Sequence, residues 1–360
     1  MMKWYTILPM KKILLPVLLM FVGVVIANDS LYQRGKTYYY GKGVTQDFTK
    51  AFQAFNHAAK AGSLDAKNAL GIMQINGHGV VQNDKKGIEY LTQAANNNHA
   101  KSQYDLGSMY YLGVGVERNL ENAYQWIKKS ADQGYVDAQN NLAQMYQEGK
   151  GVKKDLVLAN KWRTQAAQSG SDEAQYLVAK DYEDSLDYQS AFDWYQKAVS
   201  GGNTKAKAKL AYFYEQGFAT NKDPVKTFNY YLQAYNEGDD TLSYKLANMY
   251  EYGLGTVLNH KRSHYLYRKA LDDGNLDAYL DIARHYKQGH GVDKNLEKSY
   301  NFTIAAARQG HMQAQLEVAK MYLEGVGVRV SNKKAKYWLK KLAEKHHKTA
   351  VELLEKLEKR

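Results

Sequence analysis

Apolar and polar positions along this chain recur at two intervals. Within a short stretch, an apolar residue, its neighbour and the residue four on fall on one helical face. Across the chain, the same arrangement returns every 36 residues. One column reads Leu70, Leu106, Leu142, Val178, Leu210, Leu246, Ile282 and Val318. The next column is always small: Gly35, Gly71, Gly107, Ala143, Ala179, Ala211, Ala247, Ala283 and Ala319. Three positions further stand Tyr38, Tyr110, Tyr146, Tyr182, Tyr214, Tyr250, Tyr286 and Tyr322. This spacing makes an apolar stripe on a helix, and the small residue lets a neighbouring helix come close.

A second helix is predicted in each unit. Its start is marked by Asp47, Asn83, Asn119, Asp155, Asp187, Asp223, Asn259, Asn295 and Ser331. All are residues whose side chain accepts a first-turn backbone N–H. Tyr90, Trp126, Trp162, Trp194, Tyr230, Phe302 and Trp338 follow, then alanine pairs such as Ala166 and Ala167. Glycines at 134, 170, 202, 238, 274 and 310 supply the stop.

Between the two helices run glycine pairs: Gly41/Gly43, Gly77/Gly79, Gly113/Gly115, Gly149/Gly151, Gly253/Gly255, Gly289/Gly291 and Gly325/Gly327. The register gives nine units, of which the fifth (171–202) is four residues short and lacks the loop. That repeat is expected to be a plain hairpin, with a local change in twist. The sixth is irregular at Gly217-Phe218-Ala219-Thr220. A helical hairpin of this kind cannot bury its apolar face alone, so the units must stack. Residues 347–360, with Val351, Leu353, Leu354 and Leu357, are expected to form a helix capping the last repeat.

The first 27 residues read differently. Lys11 and Lys12 precede a 14-residue apolar run from Ile13 to Ile26, and Val25 and Ala27 suit a cleavage site before Asn28. The run is short for a membrane span, which needs about 20 residues. Residues 1–27 are therefore expected to be a signal peptide. Read from Met10, the segment opens Met-Lys-Lys-Ile-Leu-Leu like a bacterial export signal, so Met10 is the expected start.

Composition narrows the chemistry. The 360 residues include no cysteine, three prolines and 31 tyrosines, with 49 Lys and Arg against 37 Asp and Glu. Disulfides, cysteine nucleophiles and thiolate metal sites are excluded. Removing residues 1–27 takes three lysines and no acid, lowering the formal charge from +12 to +9.

Segments such as Leu106-Gly107-Ser108-Met109-Tyr110-Tyr111-Leu112-Gly113-Val114-Gly115-Val116, followed by Ala159, Trp162, Ala166, Ala167 and Gly170, carry a resemblance. They are similar to Sel-1-like repeats, relatives of the tetratricopeptide repeat with a longer Gly-x-Gly-Val loop. The likeness covers roughly residues 28–346. It implies an all-α fold, a right-handed α-solenoid of antiparallel helix pairs. It also implies partner binding on a concave face built from the first helices.

No catalytic constellation emerges, and no cofactor or metal is expected. His260 and His264 have the i, i+4 spacing of a metal pair, but lie where the columns vary and read as a solvated surface. Ser331-x-x-Lys334 has the spacing of penicillin-recognising serine enzymes, yet Ser331 belongs to the capping column and the partner motifs are missing. Some cysteine-rich relatives have been associated with β-lactams, and their cysteines are absent here.

Projected onto the expected concave face, the partner-binding candidates are Tyr32, Tyr39, Tyr40, Tyr104, Tyr111, Glu148, Tyr176, Glu183, Asp184, Glu215, Tyr244, Glu251 and Tyr252. All are expected to be exposed. Eleven acidic against seven basic residues give this face −4 within a basic chain. A nucleic-acid reader needs a basic groove, so nucleic acid is not an expected partner. Tyrosines beside acids suit a protein or peptide with basic segments. The lysine-rich C-terminal region adds a candidate contact for envelope polymer or lipid.

The expected function is a non-catalytic interaction scaffold of the bacterial cell envelope, most simply periplasmic. A secreted factor contacting host-cell proteins is the alternative. A peptidoglycan-binding or β-lactam-hydrolysing protein is the least favoured.

Overall fold

The computed structural model describes residues 30–358, so the expected signal peptide lies outside the described residues. Contacts divide the chain into two compact units, one up to Val178 and one from Ala179. Among the described residues every regular element is helical, and consecutive helices pack in pairs, as a solenoid requires.

In the first unit these are α1 (30–40), α2 (Phe48–Lys60), α3 (Leu64–Asn76), α4 (Asp84–Asn96), α5 (Ala100–Leu112), α6 (Leu120–Asp132), α7 (Val136–Glu148) and α8 (Leu156–Gln168). Helix α9 (Asp172–Asp184) contains the division. The second unit continues with α10 (Tyr188–Ser200), α11 (Thr204–Gln216), α12 (Pro224–Asn236), α13 (Ser243–Tyr252), α14 (His260–Asp272), α15 (Ala278–Gln288), α16 (Leu296–Arg308), α17 (Met312–Glu324), α18 (Asn332–Ala343) and α19 (Lys348–Glu358).

The columns do the work assigned to them. Leu70, Leu106, Leu142, Leu210, Leu246, Ile282 and Val318 are fully buried, and so are the alanine pairs of the second helices. A Cβ added at Gly107 would stand 2.7 Å from the Ile127 side chain of the partner helix, so the small column sets how closely the hairpin closes. Each predicted capping residue, from Asp47 to Ser331, accepts a first-turn N–H. The backbone N–H of the same residue donates to the carbonyl of the tyrosine column, as Asn119 does to Tyr110 at 2.9 Å. One position thus closes the loop and starts the helix. The Ser331 hydroxyl is used in this way, accepting from the Lys334 N–H at 3.3 Å.

The fifth repeat keeps the cap and loses the loop. Asp187 N–H still donates to the Tyr182 carbonyl, but only residues 185–187 join the helices, with Leu186 at φ +64°. With no loop folded over it, Tyr182 is exposed. In the sixth repeat Ala219 takes the positive φ (+54°) that glycine takes elsewhere. At the end of the chain α19 packs on α18, and Leu353, Leu354 and Leu357 lie against the cluster containing Trp338, Leu339 and Leu342.

The loop glycines also have a steric purpose. A Cβ at Gly79 would lie 2.4 Å from the Phe48 carbonyl oxygen, and one at Gly291 would lie 2.3 Å from that of His260. Both glycines sit in the left-handed region, at φ +72° and +68°. Gly151, Gly255 and Gly327 approach the carbonyls of Leu120, Pro224 and Leu296 in the same way, so backbone packs on backbone at these five junctions.

Candidate functional site

The expected partner-binding residues do not form one uniform surface. In the first unit Tyr32, Tyr39 and Tyr40 line one cleft with Asn68 and Ile72. Tyr104 and Tyr111 line a second cleft of about 420 Å³ with Leu112, Asn141, Gln144 and Lys150. Tyr40 and Leu112 are exposed at 60% and 64%, leaving apolar surface open to a partner. Burial, with the nearby Asp65 charge, raises the Tyr32 phenol to about 12; burial and Asp137 likewise raise Tyr104. Both rings are neutral hydrogen-bonding groups at physiological pH. Asn141 Nδ2 donates to Tyr104 Oη at 3.3 Å, fixing that ring at the cleft wall.

Cations over these rings come from the protein itself. The Lys36 ammonium lies 5.5 Å from the Tyr32 ring centre, Lys42 lies 5.8 Å from Tyr40, and Lys150 lies 5.7 Å from Tyr111. Lys150 also pairs with Glu148 at 2.5 Å.

In the second unit the expected Glu183, Glu215 and Glu251 are already engaged. Glu183 accepts from Tyr195 Oη at 2.5 Å and from Lys209 Nζ at 2.8 Å. Glu215 repeats the arrangement with Tyr231 at 2.9 Å and Lys245 at 3.1 Å. Tyr244 donates to Asp281 at 2.8 Å. Lys150, Lys209 and Lys245 thus face the carboxylates intended for a basic partner, which corrects the reading of these acids as free. Tyr176 is half-buried, while Asp184 and Tyr252 are exposed.

Glu251 requires the largest correction. Its side chain is 2% exposed, at the end of α13, where Glu183 and Glu215 hold the equivalent place. His260 Nδ1, from the first turn of α14, donates to its Oε2 at 2.9 Å. Arg284 Nη1 donates to Oε1 at 2.6 Å and its Nη2 to Asp281 at 2.9 Å. His290 Nδ1, in the loop after α15, lies 3.3 Å from Oε1. His285 is fully buried with Nε2 2.9 Å from Oε2, in an alignment that makes no hydrogen bond. Burial alone would raise the Glu251 pKa, but the hydrogen bonds from His260 and Arg284 outweigh it and hold the carboxyl at about 2. Burial lowers His285.

The solvated-surface reading of the i, i+4 histidines also fails. His264 is 9% exposed and packs on His285, with ring centres 5.4 Å apart. Burial, followed by the His285 and Arg268 charges, lowers its pKa to about 4. The first turn of the second helix faces the next repeat, so a residue there is covered by the following loop. The histidines that complete the cluster carried a signal in the columns: His285 occupies a place held elsewhere by Met73, Met109, Met145, Met249 and Met321, and His290 aligns with His78.

The Sel1 repeat pattern matches this chain at residues 28–63, 64–99, 100–135, 136–171, 172–203, 204–239, 243–275, 276–311 and 313–347. The chain is similar in structure to a protective antigen present in uropathogenic Escherichia coli strains, which displays an SLR fold. That likeness has a TM-score of 0.61 and 26% identity, over 92% of this chain and 80% of the other. It is also similar to a Sel1 repeat protein from Oxalobacter formigenes, with a TM-score of 0.51 and 30% identity, over 67% of this chain and 96% of that one. No curated protein matches the sequence.

Proposed function

The chain belongs to the Sel1 repeat family, and on that premise we propose that it is an exported scaffold of the bacterial cell envelope that docks a protein or peptide in the aromatic clefts of its first unit. Repeats of this family generally serve as protein-interaction scaffolds and are typically non-catalytic. The observation that carries the narrower reading is the cleft of Tyr104, Tyr111 and Leu112, with Asn141 and Gln144 beside it. Fixed aromatic rings give a partner apolar contact at little entropic cost, and the amides satisfy its backbone. The lysines over the rings shift the expected partner away from a strongly basic peptide and toward an apolar or acidic one. Export rests on the sequence of residues 1–27, and a periplasmic site is the simplest destination. Among the described residues no helix is long and apolar enough to cross a membrane.

Two experiments test this. Cell fractionation of the full chain is expected to recover it outside the cytoplasm, and cytoplasmic retention sinks the envelope reading. The full chain, cross-linked in cells, is expected to capture a discrete partner that a folded Tyr40→Ala, Tyr104→Ala, Tyr111→Ala variant loses. Equal capture by both sinks the cleft assignment.

A further inference from the structure

We propose that Glu251, His260 and His290 bind one divalent transition-metal ion of the class that prefers imidazole and carboxylate ligands, with Zn²⁺ as its representative. One donor atom from each residue lies within 4.8 Å of the other two. Two imidazole nitrogens and one carboxylate oxygen suit Zn²⁺, Ni²⁺ or Cu²⁺, whereas Mg²⁺ and Ca²⁺ seek oxygen. Tetrahedral bonds near 2.0–2.2 Å place ligand atoms roughly 3.3 Å apart, so the donors need to close by at most about 1.5 Å. His290, in a loop and one-third exposed, is the ligand free to make that movement and to admit the ion.

Three observations raise this above a chance grouping. The first is positional: the Gly291 contact with the His260 carbonyl fixes the backbones bearing the two histidines against each other. Their rings stack at 4.1 Å and 17° with both Nδ1 atoms toward Glu251. Equivalent slots hold Phe48 on His78 at 4.6 Å and Tyr188 on Phe218 at 4.4 Å. Flat rings fill this slot generally, but in these three only His260 and His290 offer two nitrogens to a buried carboxylate.

The second is His285. It is fully buried, neither ring nitrogen makes a hydrogen bond among the described residues, and Nε2 is 2.9 Å from Glu251 Oε2. A buried imidazole held against the carboxylate without an aligned hydrogen bond leaves the centre of the cluster polar and under-satisfied.

The third is charge. Arg284 bridges Glu251 and Asp281, so one cation faces two carboxylates and the group retains a negative charge for a metal ion to offset. With the ion bound, Arg284 holds the second Glu251 oxygen and orients the carboxylate. Each ligating histidine is then neutral, carrying its proton on Nε2 and presenting the Nδ1 lone pair.

The test uses the untagged full chain, stripped with EDTA and desalted, and titrated with ZnCl₂ by calorimetry. One Zn²⁺ per chain is expected, and His260→Phe or His290→Phe is expected to weaken it at least about tenfold. Both substitutions reproduce ring types found in the equivalent slots, and circular dichroism checks that the helices persist. Co²⁺ is expected to give a visible absorption band that His290→Phe abolishes. His99→Asn, which alters a histidine paired with one aspartate elsewhere, is expected to leave binding unchanged. No saturable Zn²⁺ binding by the full chain overturns the proposal. So does equal affinity in the folded His260→Phe and His290→Phe variants, which would place the ion elsewhere.

Discussion

At residues 39–79, Phe48 from one repeat stacks on His78 in the loop of the next, and Tyr39 Oη shares a 3.0 Å hydrogen bond with His78 Nδ1. At residues 251–291, His260 stacks on His290 in the same manner, and Glu251 stands where Tyr39 stands. The glycine after each loop histidine presses on the same backbone oxygen. Two junctions with one geometry therefore differ only in which side chains fill it. One is a ring cluster built around the Tyr39–His78 hydrogen bond. The other buries a carboxylate among a guanidinium and three imidazoles. The repeat fixes where the residues meet, and the variable positions decide the chemistry.

The largest expected contrast comes from removing the central acceptor. Glu251→Ala strips Arg284 and the histidines of their common partner and is expected to cost about 3–5 kcal/mol in urea unfolding. A cost below about 1 kcal/mol would mean that water or Asp281 replaces the carboxylate without penalty.

Acid separates the junctions next. His264, with its pKa near 4 in the folded chain and about 6.5 when unfolded, stays neutral in the fold while the unfolded chain takes up a proton. Its contribution is intact above pH 6.5 and is lost as pH falls through 4, a change of about 3 kcal/mol. Phe52 occupies the matching place in the first junction. His264→Phe is accordingly expected to flatten that part of the stability–pH curve, and an unchanged curve would assign the acid sensitivity to other groups.

The shared geometry is tested by Gly79→Ala and Gly291→Ala, each expected to cost about 2–4 kcal/mol from the left-handed backbone and the carbonyl clash. Unequal losses would show that one junction can open. The smallest change is Tyr39→Phe, which removes one partly exposed hydrogen bond and should cost about 1 kcal/mol.

Fold and site were legible to different depths for a physical reason. Leu106, Gly107, Tyr110 and Asn119 perform the same task in successive repeats, so stacking the sequence on itself exposes each role. The pairings around the site join variable positions of neighbouring repeats: Glu183 with Lys209, Glu215 with Lys245, Glu251 with His290. Columns read one at a time register neither partner, which is why Glu251 passed for an exposed acid and His260 for a solvated one. His285 among methionines was the departure that pointed inward.

The contact between a loop glycine and the preceding helix start bears on how such a chain changes length. Each of these junctions is completed by the tail of one 36-residue unit and the loop of the next. Gain or loss of a whole unit by recombination leaves every remaining glycine opposite a helix start, wherever the crossover falls. A change of any other size leaves a glycine facing a side chain and a Cβ facing a carbonyl. A whole-unit change in array length thus preserves these contacts, whereas the 32-residue fifth repeat has no loop glycine to set against a helix start.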